Sequence, residues 1–329
     1  MTLRTPICDL LGIEFPVFLA GMGGISFAEL CAAVSEAGGF GTLGAAASSP
    51  EEIRSQMREV RRLTDKPFGV DLLAALPETL EASAEVIIEE GASAFIAGLG
   101  IPRTVLARFH EADVKVFSMC GRVEHARAAA DAGCDAVVAQ GTEAGGHTGR
   151  VAGMALIPQI VDAVDIPVLA AGSIVDGRGL AAALAFGADG IWMGTRFVAA
   201  REARAAESYK KAILEAGSSD TIVTRCYSGK TMRVLRNAYV DEWADRTDEI
   251  LPFPEQSALS YREGVMNLSL DNYEEMDPNR SCMPTGQGCG RIDDLPPAGE
   301  IVRRVVEQAC QTLARMQALV VEPAGRDRP

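Results

Sequence analysis

Four glycine-rich stretches contain most of the residues in this chain that suit anion binding. They run through residues 20–24, 140–149, 171–179 and 193–196. Glycine allows backbone amide groups to converge on an anion, and the N-terminus of a following helix adds a favourable dipole. A single stretch of this kind would be explained by a tight turn. Several of them at one face of a fold favour a phosphate-binding site.

His147 lies inside the second stretch and is the candidate for proton transfer. The chain has three histidines, and the other two, His110 and His125, belong to helical stretches where a surface position is expected. An imidazole titrates close to neutral pH, which suits a general acid or base. The alternative is that His147 hydrogen-bonds a phosphate or orders its own loop.

The elements that position these stretches repeat along the chain. A helix end, a glycine, a small residue and a short apolar run follow one another at Gly38, Gly91, Gly133 and Gly187. Glycine at such a position can adopt the left-handed turn that returns a helix to a buried parallel strand. The intervals of 53, 42 and 54 residues each accommodate two βα units.

The apolar runs give eight candidate strands, centred near residues 18, 41, 69, 95, 116, 137, 169 and 191. Eight strands alternating with helices predict an α/β fold, a closed (β/α)8 TIM barrel, and an open doubly wound sheet is the alternative. Such barrels carry their functional groups in loops at the C-terminal ends of the strands. Phosphate commonly binds after the seventh and eighth strands, where two of the glycine-rich stretches are found.

The βα rhythm ends after the eighth candidate strand. Residues 217–295 contain several prolines and are predicted to form a cap or lid (Pro252, Pro254, Pro278 and Pro284). The expected domains are therefore 1–216 as the barrel with the cofactor site, 217–295 as a cap insertion, and 296–320 as the closing C-terminal helix of the barrel.

The composition indicates an acidic, globular protein. The formal net charge is −14 and hydrophobic residues make up 48% of the chain. Binding to nucleic acid or to an anionic membrane needs an excess of Lys and Arg, so neither partner is expected. Without a signal-peptide pattern or a membrane-spanning run, and with eight cysteines lacking C-x-x-C pairs, we expect a soluble, cytoplasmic protein with no metal site.

The segment Gly21-Met22-Gly23 narrows the choice of ligand. A sugar phosphate and flavin mononucleotide (FMN) would both fit a phosphate site beside a long glycine loop. A flat tricyclic ring also needs bare backbone and one adaptable thioether next to it, and these three residues offer both. No G-x-G-x-x-G motif stands between a strand and a helix with an acidic residue about 20 positions later, so a Rossmann site is not supported.

Longer motifs resemble one known family. They are Ala20-Gly21-Met22-Gly23, the run from Gln140 to Gly149 with Glu-Ala-Gly-Gly-His at its centre, the run from Ala171 to Gly177, and Met193-Gly194-Thr195-Arg196-Phe197. Together with Gly286 to Asp293, these motifs resemble the nitronate monooxygenase (2-nitropropane dioxygenase) family. That family also includes flavin-type enoyl-acyl-carrier-protein reductases and NADH:quinone reductases. The resemblance covers about residues 5 to 317.

The resemblance implies an FMN-dependent TIM-barrel enzyme and assigns roles to named positions. His147 would be the catalytic acid or base, or would orient the substrate. The implied cofactor-binding residues line the flavin ring, hydrogen-bond the flavin or bind its phosphate (Ala20, Gly21, Met22, Asp71, Gln140, Gly145, Gly146, Gly172, Ser173, Met193, Gly194 and Thr195).

Three positions depart from the family pattern. Asp71 stands where many members carry Asn, which places a carboxylate near an anionic cofactor. Ser173 replaces a second glycine, and its hydroxyl could donate a hydrogen bond to phosphate. Met119 stands where some pyridine-nucleotide-using members carry Lys, so that lysine has no counterpart here.

The resemblance leads to one preferred function and two alternatives. The preferred function is a nitronate monooxygenase that oxidises alkyl nitronates with O2. The first alternative is an NAD(P)H-dependent flavin reductase acting on an enoyl thioester (acyl carrier protein or coenzyme A, CoA) or a quinone. A basic cluster at 225–236 in an acidic chain favours this alternative, because it could bind a pyrophosphate, although a solvated helix face is also consistent with it. The second is a non-redox phosphate-binding barrel enzyme. Each takes a small-molecule substrate, and the oligomeric state stays open.

Overall fold

The computed structural model describes residues 3–46, 48–74, 77–266 and 276–320, without the side chains of 77–79. The strands in this part of the chain are, in order, β1 (Val17–Leu19), β2 (Gly41–Gly44), β3 (Phe68–Leu73), β4 (Ala94–Gly98), β5 (Lys115–Cys120), β6 (Ala136–Gln140), β7 (Gly146–His147), β8 (Val168–Ala171), β9 (Gly190–Met193), β10 (Thr221–Thr224) and β11 (Met232–Leu235). The helices are α1 (Pro6–Leu11), α2 (Ala28–Glu36), α3 (Pro50–Leu63), α4 (Pro77–Glu89), α5 (Leu106–Glu111), α6 (Val123–Asp131), α7 (Gly153–Val161), α8 (Gly177–Ala185), α9 (Thr195–Val198), α10 (Glu207–Glu215), α11 (Ala238–Glu242), α12 (Glu255–Arg262) and α13 (Ala298–Gln317).

Eight parallel strands form one sheet that closes on itself. Their order is β1-β9-β8-β6-β5-β4-β3-β2. The two outer strands meet through a parallel bridge between Phe18 and Phe40, in which Leu19 N–H donates to the Phe40 carbonyl (2.9 Å). The predicted TIM barrel is therefore confirmed, and the eight strands lie at the eight predicted positions. The open doubly wound sheet is wrong.

The barrel interior is filled by side chains that alternate along the strands. Phe18, Phe117 and Trp192 point inward. The rings of Phe117 and Trp192 pack against the ring of Phe18, with centroid distances of 6.4 and 6.3 Å. Neighbouring strand residues such as Leu19 and Met193 point outward and pack under the helices. This is the period of two that a strand buried on both faces requires.

Local signals explain where individual helices begin. The Ser49 hydroxyl accepts a hydrogen bond from the Glu52 amide while the Glu52 carboxylate accepts one from the Ser49 amide, so α3 starts with a capping box. The Asp176 carboxylate accepts bonds from the amides of Arg178 and Gly179 at the start of α8. This cap fixes the end of the glycine-rich loop that follows β8.

A second sheet lies over the barrel mouth. It has the order β10-β11-β7, all antiparallel, with Met232 of β11 paired to His147 of β7. The strand β7 belongs to the loop after β6, so the region 217–295, predicted to be a cap, is hydrogen-bonded to the glycine-rich loop after β6. The domain boundaries given above stay predictions.

The C-terminal helix α13 packs against α8 and α2 on the outside of the barrel. At Gly177 the helices approach so closely that an added Cβ would lie 2.3 Å from the Val305 carbonyl oxygen. The Gln308 side chain accepts a hydrogen bond from the Gly177 amide (2.8 Å). In the described part of the chain, no helix combines the length and the apolar character that crossing a membrane requires.

Candidate active site

A large cavity of about 1420 Å3 lies at the C-terminal ends of the barrel strands. Its walls come from the glycine-rich loops, from β3 to β6, and from the cap around Lys230 and Phe253. Twelve of the thirteen predicted site residues line it (Ala20, Gly21, Met22, Asp71, Gln140, Gly145, Gly146, His147, Gly172, Ser173, Gly194 and Thr195). The structure therefore brings the motifs together at one place, as the barrel topology requires.

Met193 is the predicted site residue that does not line the cavity. It is buried at 1% exposure among the residues between the strands and the outer helices. Its neighbour Trp192 faces the cavity instead, because successive strand residues point to opposite sides. The Met193 carbonyl accepts a hydrogen bond from the Ala20 amide (2.8 Å), which joins two of the cavity loops.

The loops after β8 and β9 present backbone amides to the cavity. The amides of Gly172, Ser173, Gly194 and Thr195 donate no hydrogen bond to another described residue. Gly172 and Ser173 both have positive φ, at 114° and 53°. Ser173 therefore keeps the left-handed backbone that the family's glycine would adopt. Four such amides in neighbouring loops, two of them at the start of α9, fit a phosphate group, which is the feature expected of a flavin phosphate site.

The two hydroxyls of this region have different partners. The Thr195 Oγ1 accepts a hydrogen bond from the Gly286 amide (3.0 Å), so its own proton remains available for an anion. The Ser173 Oγ donates to the Glu143 carbonyl (2.9 Å) and accepts from the Gly288 amide (2.9 Å). Ser173 therefore holds the segment around Gly288 over the loop, and its proton is not available for phosphate.

Gly145 and Gly21 are sites of close approach. A Cβ on Gly145 would lie 2.8 Å from the Gly286 amide nitrogen, and a Cβ on Gly21 would lie 2.1 Å from the Asp71 Cβ. Only glycine allows these contacts. At the contact between Gly21 and Asp71, burial raises the pKa of the Asp71 carboxyl to about 8. A protonated carboxyl can donate a hydrogen bond, as the amide of the family's usual Asn does.

His147 is held by the cap. Its Nε2 lies 2.8 Å from the Ser228 Oγ, and the Phe253 ring packs edge-on at a centroid distance of 6.4 Å. The Gln140 Nε2 donates to the His147 carbonyl (2.6 Å). Burial, together with the nearby Lys230 ammonium, lowers the pKa of His147 to about 4. The imidazole is therefore neutral near pH 7, and one ring nitrogen is engaged by Ser228.

Comparison with known proteins agrees with this architecture. The family model described as nitronate monooxygenase matches residues 4–308. The chain belongs to the nitronate monooxygenase family. It is 35% identical to a Mycobacterium tuberculosis protein named (3aS,4S,5R,7aS)-5-hydroxy-7a-methyl-1-oxo-octahydro-1H-indene-4-carboxyl-CoA dehydrogenase, over 97% of this chain and 100% of that one.

Two further similarities lie within the same family. A probable nitronate monooxygenase of Staphylococcus saprophyticus is 35% identical over 79% of this chain and 86% of its own length. The solved structure of FabK from Thermotoga maritima has a TM-score of 0.89 and is 36% identical, over 97% of this chain and 100% of that chain. The resemblance noted from the motifs is confirmed, and this member of the nitronate monooxygenase family is an oxidoreductase.

The basic cluster at 225–236 does not form a single anion site in this family member. Arg233 is buried and donates to the Thr142 carbonyl and to the Thr221 hydroxyl, both at 3.0 Å. Arg236 pairs with an aspartate at the surface, and Arg225 donates to a backbone carbonyl of its own turn. Of the basic residues in the cluster, only Lys230 lines the cavity.

The charge of the cavity wall was not found by sequence reasoning. Three arginines and Lys230 line the cavity (Arg103, Arg122 and Arg150), and Asp71 is the one acidic residue among the described lining residues. The chain as a whole carries −14. The arginines stand in separate loops, so no local run of sequence marks them. Only the barrel topology brings them together.

Proposed function

We propose that this chain is an FMN-dependent oxidoreductase that acts on the carbons next to a CoA-type thioester. The observation that carries the proposal is the cationic wall of a large cavity in a strongly acidic protein. Ligand cavities commonly measure about 300–1,000 Å3. At about 1420 Å3, this cavity has room for FMN and for a second, extended anionic molecule.

The residues of the glycine-rich loops suit the flavin. The amides after β8 and β9, with the Thr195 hydroxyl, would hold its phosphate, and Gly21 and Met22 would lie along its ring. Bound FMN supplies the electron transfer to or from the substrate carbon. The protein binds both molecules, orients them and keeps water out by means of the cap.

His147 suits a role as proton acceptor or hydrogen-bonding group. Because the pKa of His147 is lowered to about 4, the imidazole has a free lone pair near pH 7 at one ring nitrogen. Ser228 fixes the ring through Nε2, which leaves Nδ1 for the substrate or a water molecule. An anion bound beside Lys230 would offset the effect of that ammonium and raise the pKa of His147 again.

Nitronate oxidation with O2 is the second candidate, and it is the function that the sequence motifs favour. It is favoured by the relative of Staphylococcus saprophyticus named probable nitronate monooxygenase. A nitronate is itself an anion and would be attracted by Lys230. It would leave most of the cavity and the arginines at its wall unused.

Anaerobic spectroscopy of the yellow protein tests the proposal. The flavin is first identified as FMN after release, and its absorbance is then followed with NADPH, NADH, an acyl-CoA or an alkyl nitronate. We expect bleaching by a reduced nucleotide or by a saturated acyl-CoA, and reoxidation by an enoyl-CoA. Bleaching by the nitronate alone, with O2 as the sole reoxidant, would favour the second candidate. A colourless protein that cannot be reconstituted with FMN would refute both.

A further inference from the structure

Three arginines from three consecutive strands of the sheet reach the same cavity. Arg103 follows β4, Arg122 follows β5 and Arg150 follows β6 with its short β7. We propose that Arg103, Arg122 and Arg150 form a binding site for an adenosine that carries a diphosphate and a phosphomonoester. This group is common to CoA and NADPH. The proposal rests on the function proposed above and names the part of the substrate or cosubstrate that the site would recognise.

The loops that carry these arginines are held together by their backbones. Neighbouring parallel strands end at the same edge, so β4, β5 and β6 place their following loops side by side. The Ser118 hydroxyl donates to the Gly100 carbonyl (3.2 Å), which joins the loop after β4 to β5. Gly121 and Gly149 are in contact, because a Cβ on Gly149 would lie 3.0 Å from the Gly121 carbonyl oxygen. Arg122 and Arg150 are the next residues after these two glycines.

The three guanidinium groups are available to a ligand. All three side chains are exposed, and none makes an ion pair or a hydrogen bond with another described residue. Arg108, five residues after Arg103, differs in this respect because it pairs with Glu81 and Glu85. Guanidinium groups bind phosphate oxygens in pairs of parallel hydrogen bonds, so three free ones suit a ligand with three phosphates.

The loops that carry the arginines are different from the loops that would bind the flavin phosphate. In the ring of strands, β4 lies opposite β9, and β5 is separated from β8 by β6. The cavity continues from Arg122 along one face of α6, where His125 and Ala128 are three residues apart. Ile101 on the neighbouring loop adds an apolar wall. A phosphorylated nucleotide bound there would leave the thioester arm free to extend toward the flavin and His147.

Calorimetric titration of the flavin-loaded enzyme tests the site. The ligands are CoA, 3′-dephospho-CoA, NADPH and NADH, and the variant combines R103Q, R122Q and R150Q. The matched control combines R127Q, R303Q and R315Q, which removes the same charge from exposed positions outside the cavity. We expect the cavity variant to raise the Kd of CoA or NADPH by about tenfold or more, and the control to change it less than about threefold.

A kinetic ratio distinguishes recognition from a general structural effect. We expect the cavity variant to lower the preference for an acyl-CoA over the same acyl-pantetheine, measured as the ratio of the two kcat/KM values, by about tenfold. Loss of binding for CoA alone or for NADPH alone assigns the site to that molecule. Equal CoA and NADPH binding by wild type and variant would overturn the site while thioester turnover still supports the function. Absence of both CoA binding and thioester turnover in the wild type would overturn the proposed function itself.

Discussion

Replacement of Asp71 by Asn should make the protein less sensitive to alkaline pH. The carboxyl lies on the cavity wall against Gly21, with an added Cβ on Gly21 only 2.1 Å from the Asp71 Cβ. Burial is the cause that raises its pKa to about 8. Asn has the same shape and can donate a hydrogen bond, but it does not ionise. The substitution therefore removes the ionisable carboxyl at position 71 and leaves the packing against Gly21 intact.

The expected size follows from proton linkage. In the unfolded chain the carboxyl ionises near its ordinary pKa of 3.8, whereas burial in the folded chain raises this pKa to about 8. Between these values the folded state binds the extra proton, so the stability of the wild type falls as pH rises, by about 1.4 kcal/mol per pH unit. The Asp71→Asn variant lacks this loss. Its advantage in unfolding free energy should grow by about 4 kcal/mol between pH 5 and pH 8.

Urea unfolding of both flavin-free proteins at several pH values measures this difference. Every other titrating group is shared by the two proteins, so its contribution cancels when the two free energies are subtracted. A difference that increases steadily from pH 5 to pH 8 and then levels off is the expected result. A difference that does not depend on pH would show that Asp71 is ionised in the folded protein and would refute the argument from burial.

Three further predictions concern the cofactor site and His147. Thr195→Val should raise the Kd of FMN about tenfold, measured by flavin fluorescence, because the hydroxyl proton of Thr195 is free for phosphate. Thr195→Ser should keep the Kd of the wild type. An equal Kd of FMN for the wild type and Thr195→Val would show that Thr195 does not bind the phosphate. His147→Ala should lower turnover per bound flavin by about 10²–10⁴-fold, and Ser228→Ala should lower it less, since Ser228 only orients the ring; unchanged turnover would exclude His147. Saturation with FMN at about 100 times its Kd should add about 2.7 kcal/mol to the unfolding free energy, and an unchanged melting temperature would contradict a shared four-loop site.

The features that the sequence predicts correctly depend on local residue patterns. Each helix-ending glycine, such as Gly133 and Gly187, has the positive φ that the turn before a strand was expected to need. The apolar runs that follow them are strands because a parallel barrel buries both faces of each strand. The glycine-rich loops lie at one face for the same topological reason. These features depend on short segments and on the regular order of βα units.

The remainder depends on contacts between distant segments. No local pattern places Ser228 beside His147, 81 residues earlier, or joins Gly288 to Ser173. The sequence shows that residues 225–236 are basic, but it does not predict which groups these basic side chains contact. Arg233 donates a hydrogen bond to the loop after β6, because the pairing of β11 with β7 places Arg233 beside that loop. Met193 was included with the glycine motif around it although strand alternation points its side chain away.

The difference between local signals and contacts of distant segments also applies to the proposed cofactor site and the proposed substrate site of this family member. The proposed flavin contacts come from backbone amides and glycines within short motifs, and the same motifs carry the resemblance to the family. The groups that would select a substrate are single side chains on separate loops, namely Arg103, Arg122 and Arg150, and Lys230 from the cap. Membership of the family therefore supports the proposed cofactor more directly than it supports any one substrate. For this chain, an acyl-CoA and an alkyl nitronate distinguish the two proposed functions, whereas thioesters that differ only in their phosphorylated end test the proposed arginine site.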